Sequence, residues 1–177
     1  PYTDVKMKNV DGSWVSIDDI RGKKGTLVVF TCNHCPYVKA WNSRLTELGN
    51  RYAAQGIGVI FINSNDPEVY AEDKFEGMQA QAEREGYTFP YVVDATSKLA
   101  GAFLATRTPE AFLFDANNTL VYHGTIDDNS ESTELVKETY LADALNAVIS
   151  GGEIKTAKTK AIGCSIKYHK QSAKESS

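Results

Sequence analysis

Cysteine, surplus positive charge and long apolar runs are all scarce in this chain, and each scarcity removes a class of protein. Three cysteines in 177 residues are too few, and odd in number, for a disulfide framework. Nineteen Lys and Arg against 23 Asp and Glu leave a net charge of −4. They form no basic stripe that would neutralise a run of phosphates, so nucleic acid is not an expected partner. No apolar stretch approaches the roughly 20 residues that span a bilayer, and Pro1-Tyr2-Thr3-Asp4 carries no basic and apolar leader. A soluble chain with no membrane partner is expected. A first residue of Pro implies a processed or trimmed start, so the compartment is left open between a bacterial cytoplasm and, if an export signal has been removed, the periplasm. Internal repeats and a phosphate loop are missing too, since Gly56-Ile57-Gly58 lacks a third glycine and leads into a strand pattern.

What is present suffices for one domain with a real core, at 42% hydrophobic and 24% charged residues. Apolar runs rich in β-branched residues alternate with stretches of helical period, the pattern of an α/β or α+β sheet protein. Asp11-Gly12 between two short alternating runs predicts a hairpin within the first 20 residues. The apolar run 25–30 predicts a central strand buried on both faces, and "IGVIFIN", 57–63, a second. Leu45, Leu48 and Tyr52 recur at spacings of three and four, so a helix is expected over 36–54 with Gly56 closing it. Asp73 with Glu76 three residues later predicts the capped start of another helix that ends near Gly86, and 96–105 a shorter one. Residues 112–114 and 120–123 flank a polar turn as a second hairpin. Leu141, Leu145, Val148 and Ile149 mark a last helix that stops at Gly151-Gly152. Residues 1–152 thus read as one domain. Residues 153–177, polar and Lys-rich apart from "AIGCSIKY", read as a strap or tail, disordered over 170–177.

Two of the cysteines stand in "FTCNHCPYVKAW", 30–41, at the turn from the central strand into the first helix. Such a pair is a redox dithiol, half of a metal site, or packed core sulfur. No second CxxC or HxxxH pair completes a zinc site, and His123 and His169 are isolated, so neither metal nor cofactor is expected. A cysteine at the first turn of a helix lies near unsatisfied N–H groups and the positive dipole end. These lower its pKa from about 8.5 toward the ~3.5–7.5 range, where it reacts as thiolate. His34 beside it either supplies positive charge and shuttles the proton of a departing thiol, or is a plain loop residue. Tyr37 and Trp41 are expected to pack rather than to clamp substrate, and Asp127-Asp128 to form a turn. Cys164, in the one apolar patch of the tail, either docks the strap onto the domain or is a resolving cysteine that forms a disulfide with Cys35, with Cys32 or with another chain.

A βαβ unit, a helical insertion, a proline-led hairpin and a last helix, together with "FTCNHCP", the "FIN" strand end and "TPEAFLFD", resemble the thioredoxin fold over residues 1–150. The branch is that of peroxiredoxins and thioredoxin-like cytochrome-maturation proteins. CNHCP with a late GCSIK is similar to a peroxiredoxin-like group within it. The resemblance implies an α/β thioredoxin fold with an N-terminal β-hairpin, a helical insertion after the second core strand and a C-terminal strap. It puts Thr108-Pro109 where the family carries its cis-proline, with Thr108 and Pro36 on the substrate side.

The resemblance also implies which sulfur attacks. Counting five from Phe30 puts the nucleophile slot of the cytochrome-maturation pattern on Cys35, aligns Pro36, Gly56 and Asn63 without a gap, and leaves Val38 in the second cysteine slot. The peroxiredoxin TxxC, which ends in the attacking cysteine followed by Pro, gives the same register with Cys32 in place of Thr. Reading the CxxC from its first sulfur selects Cys32 instead. The implied activity is thiol–disulfide exchange through Cys35, with Cys32 as its partner, Pro109 shaping the site, and a thiol or disulfide protein as substrate. One alternative is a thiol peroxidase in which Cys35 attacks peroxide. It is weakened by Cys32 in place of Thr and by Pro109 in place of the family's Arg, for which Arg107 is the only substitute nearby. The other is a metal or haem carrier using Cys32, Cys35 and His34. Oligomeric state is left open.

Overall fold

A strand that is apolar at every position needs cover on both faces, and Gly25–Phe30 (β3) is buried at all six positions. The computed structural model describes residues 2–169, so the expectation of disorder over 170–177 lies outside the described residues. β3 sits inside a mixed sheet of seven strands. Its members, besides β3, are β1 (Met7–Asn9), β2 (Trp14–Val15), β4 (Ile57–Asn63), β5 (Tyr91–Val93), β7 (Glu110–Asp115) and β8 (Leu120–Gly124). Their order is β2-β1-β5-β4-β3-β7-β8. β3 pairs parallel to β4 and antiparallel to β7. A separate two-stranded ribbon joins β6 (Arg107–Thr108) to β9 (Cys164–Ser165).

The alternation of side chains along β3 divides the core in two. Leu27 and Val29 face one side, where they meet Trp41, Leu45 and Tyr52 of α1 (Pro36–Ala53), Met78 of α2 (Phe75–Glu85), and Leu141 and Leu145 of α4 (Tyr140–Ser150). Val28 and Phe30 face the other, against Leu99 and Ala100 of α3 (Lys98–Phe103) and Phe112 of β7. Each such fully buried side chain contributes about 1.5–3 kcal/mol of transfer free energy. This is the α/β thioredoxin fold, with the N-terminal hairpin β1–β2, a helical insertion holding α2 after β4, and a strap that returns across the sheet edge.

One local expectation is corrected. Asp73 does not cap α2, which starts at Phe75 with Lys74 as its N-cap and no side-chain cap. Asp73 instead ends a short 3₁₀ turn, Ala71–Asp73, and its carboxylate is buried. β5 carries no local signal of its own, being three residues long. It becomes a strand by pairing with β4 on one side and β1 on the other.

Asp127, expected in a turn, is a buried structural acceptor. Its carboxylate takes the Trp41 indole N–H at 2.8 Å and the Arg44 guanidinium at 2.6 Å, joining α1 to the segment after β8. Asp127→Ala strands the buried Trp41 N–H and removes the charge partner of the half-buried Arg44, so a loss of about 2 kcal/mol is expected. A urea midpoint that stays at the wild-type value refutes that role.

Candidate active site

The sulfur centre is assembled where β3 runs out. Register pairs Phe30 with Glu110 across β3 and β7, which brings the segment just before β7 alongside the loop just after β3. That loop carries Cys32 and Cys35, and the segment carries Thr108 and Pro109, joined by a cis peptide bond. Cys35 is the N-cap of α1, extended at φ −67° and ψ 127°, with its carbonyl accepting the Lys39 N–H at 2.9 Å. Pro36 occupies the first helical position, where a missing N–H costs nothing. Cys32 and Cys35 are both fully buried. Cys32 Sγ lies 3.4 Å from Thr108 Oγ1, and Cys35 Sγ lies 3.5 Å from the Thr108 carbonyl oxygen.

The third cysteine is here as well. β9 pairs antiparallel with β6 so that Cys164 stands opposite Thr108, and its side chain packs against Cys32, Cys35 and Val38. All three sulfurs are reduced. The edge of β6, which the sequence reading offers to substrate, is in this structure paired with the strap.

The three thiols are electrostatically unequal. The pKa of Cys35 is lowered to about 4, chiefly by a hydrogen bond from the Cys32 thiol. The Cys164 thiol and the backbone N–H groups of Val38 and Cys164 add to this against the opposing effect of burial. Cys32 is pushed far up, first by giving that hydrogen bond and then by burial, with the negative charges of Asp73 and Cys35 in support. Cys164 is raised to about 11 by burial and by the neighbouring Cys35. Of the three thiols, Cys35 is the one whose surroundings favour ionisation.

His34 and Asp73 form the floor of the loop. His34 Nδ1 is 2.5 Å from Asp73 Oδ2, and its ring stacks on Tyr70 with centroids 3.9 Å apart. Asp73 also accepts the Asn33 N–H at 2.7 Å, the Asn65 amide at 3.1 Å and the Asn63 amide at 3.2 Å. A carboxylate with four donors tolerates burial, and it ties the insertion to the CxxC loop. The sequence reading misses this role because Asp73 fits a capping pattern. The available signal is the polar run Asn63-Ser64-Asn65 directly after a buried strand, which has to be answered by some buried acceptor.

Ligand atoms of Cys32, His34 and Asp73 lie within 4.8 Å of one another, a spacing that suits a metal ion. The set differs from the expected carrier trio, since Asp73 replaces Cys35. It also includes the sulfur whose surroundings most oppose the thiolate that a metal needs. Arg107 is exposed, and as the strand neighbour of buried Thr108 it points to the opposite face, away from the sulfurs. Tyr37, expected to pack, is 39% exposed, whereas Trp41 is buried as expected. Glu110, which the sequence reading does not single out, accepts the backbone N–H groups of Thr106 and Arg107, both at 3.0 Å, and contacts His123 Nε2 at 2.5 Å. It thereby holds the turn that presents Thr108. Among the described residues no helix is long and apolar enough to cross a membrane.

Known proteins share both the sequence pattern and the architecture. The chain is 30% identical over 114 residues, 64% of its length, to the thiol-disulfide oxidoreductase ResA of Geobacillus thermodenitrificans, and spans 61% of that curated relative. The crystal structure of a hypothetical protein from Sinorhizobium meliloti 1021 superposes with a TM-score of 0.88 at 34% identity, covering 96% of this chain and 93% of that one. An uncharacterised conserved protein from Geobacillus kaustophilus gives 0.87 at 37% identity, covering 94% and 89%. Residues 1–123 match the model of the AhpC/TSA family, and the chain belongs to that family.

Proposed function

We propose that this protein is a thiol–disulfide oxidoreductase whose nucleophile is Cys35 and whose substrate is a disulfide on a protein or small molecule. The observation that carries the reading is the inequality of the sulfurs. Cys35, at the N-cap of α1, is the one thiol of the three held low enough to be thiolate at neutral pH. The named oxidoreductase activity of the Geobacillus thermodenitrificans relative points the same way.

The geometry supports each step. Cys35 thiolate attacks one sulfur of the substrate, the substrate S–S bond breaks, and the first substrate thiolate leaves and takes a proton. Once Cys35 is in a mixed disulfide it no longer draws on the Cys32 proton, and the largest cause of the raised Cys32 pKa is gone. The His34–Asp73 pair lies beside Cys32 and accepts that proton. Cys32 then attacks Cys35 Sγ and releases the second substrate thiol, so two protein thiols have become one disulfide. Pro36 sets the entry of α1, and Thr108 and Pro109 set the wall that both sulfurs touch. Peroxide is the weaker substrate because Arg107 faces away from Cys35. The metal reading keeps one observation in its favour, the cluster of Cys32, His34 and Asp73.

Reduction of insulin or glutathione disulfide is the direct test. Cys35→Ser is expected to abolish turnover, and Cys32→Ser to slow it. Turnover that survives Cys35→Ser sinks the assignment. Peroxide consumption lost with Cys35→Ser and kept with Cys32→Ser favours the peroxidase, and stoichiometric metal lost with His34→Ala favours the carrier.

Thiolate absorbance followed against pH is expected to show one group titrating near 4, absent in Cys35→Ser and shifted upward in Cys32→Ala. Stability should follow the same group. Because folding depresses its pKa from 9.0 to about 4, its contribution is full above pH 9.0 and is lost as pH falls through about 4. The stability advantage of wild type over Cys35→Ser should therefore shrink on acidification from pH 9 to pH 4. A constant difference across that window contradicts a stabilised thiolate.

A further inference from the structure

The strap brings a third thiol to the sulfur centre and holds it there. Cys164 stands opposite Thr108, whose carbonyl oxygen is 3.5 Å from Cys35 Sγ. The approach is so close that only glycine fits beside it, since a Cβ on Gly163 would come within 2.0 Å of the Thr108 oxygen. Beyond β9 the segment is fastened by four features. Ile166 is buried in the core, and its N–H meets the Thr106 carbonyl at 2.9 Å. The Lys167 N–H reaches Asn65 Oδ1 at 2.7 Å, and the Lys167 carbonyl accepts the Asp66 N–H at 2.7 Å. Exposure separates the sulfurs, for Cys32 and Cys35 are fully buried while Cys164 is partly exposed.

We propose that Cys164 is a third catalytic sulfur, which closes a disulfide with Cys35 and is the atom at which outside thiols reopen it. The proposal rests on the exchange reading above. It adds which thiol completes the reaction and which one meets the reductant.

The chemistry balances as follows. Cys35 is covered by β9, so a substrate disulfide reaches it when the two-residue pairing with β6 parts. After Cys35 has expelled the first substrate thiolate, Cys164 gives its proton to that thiolate and attacks Cys35 Sγ. The bond from Cys35 to substrate breaks, the second substrate thiolate leaves, and the Cys35–Cys164 disulfide has formed while the substrate disulfide has been reduced. To reopen it, one thiolate of an outside dithiol attacks Cys164 Sγ and Cys35 departs as thiolate. The second thiol of the reagent then displaces Cys164, which takes up a proton as the dithiol becomes a disulfide.

Physical reasons favour this traffic over closure by Cys32 alone. While β9 is paired with β6, an outside thiol can touch Cys164 and cannot touch the buried pair. Attack there expels Cys35, whose low pKa makes it the best leaving thiolate of the three.

The full chain is oxidised with glutathione disulfide, alkylated, digested without reductant and mapped by mass spectrometry. A peptide pair linked through Cys35 and Cys164 is expected in wild type and in greater yield in Cys32→Ser. Cys164→Ser is expected to slow re-reduction of the oxidised protein by dithiothreitol by about tenfold. A Cys32→Ser protein in which Cys35 stays joined to glutathione while Cys164 remains a free thiol overturns the proposal and leaves the exchange reading intact. A Cys35→Ser protein that exchanges as fast as wild type overturns both.

Discussion

Three cysteine side chains meet beside Thr108, and the acidity of one of them depends on the other two. The pKa of Cys35 is lowered chiefly by the Cys32 thiol from the loop after β3, with support from the Cys164 thiol of the strap and from the Val38 N–H at the first turn of α1 and the Cys164 N–H, acting as donors. These donors come from three parts of the chain, and only the folded sheet brings them to a point. A helix N-terminus favours negative charge in any protein, but its effect here is joined by two thiols that yield their own acidity to the same atom. Three chemically identical side chains are thus driven apart in acidity, Cys35 downward and the other two upward.

A second constraint keeps that asymmetry from reversing. Asp73 lies within reach of Cys32 and is satisfied by Asn33, His34, Asn63 and Asn65, so its buried oxygens are paired in a place where an unpaired carboxylate would cost several kcal/mol. Negative charge beside Cys32 raises its pKa and leaves Cys35 as the cheaper thiolate. The helical insertion therefore has an electrostatic part in the site besides its packing against α1 through Met78. The same carboxylate pins the backbone of the CxxC loop through the Asn33 N–H, which joins loop geometry to sulfur acidity.

Much of the fold is legible in the sequence because its main elements obey local rules. The bounds of β3 and β4 can be read from unbroken apolar runs, and the start of α1 from a proline that suits a first helical turn. The ends of α2 and α4 follow from Gly86 and Gly151, both at positive φ. The site is less legible. Asp73 looks like a helix cap, Tyr37 looks like a packing residue, and Arg107 is close enough in sequence to Pro109 to stand in for a family arginine. Each reading weighs near neighbours only, and each is decided by a residue's orientation toward partners far along the chain.

By itself the sequence determined the α/β architecture, the hairpin at its start, and the delivery of two cysteines to the turn between a buried strand and a helix. Periodicity, turn chemistry and capping act within a few residues, and a single chain records them directly. Tertiary structure alone decided that Asp73 faces His34, that β5 is a strand, and that Cys164 returns from the end of the chain to the sulfur centre. These contacts join Asp73 to His34 and Cys164 to Thr108 across long stretches of chain, where register and core packing select the partner and local pattern carries no trace of it.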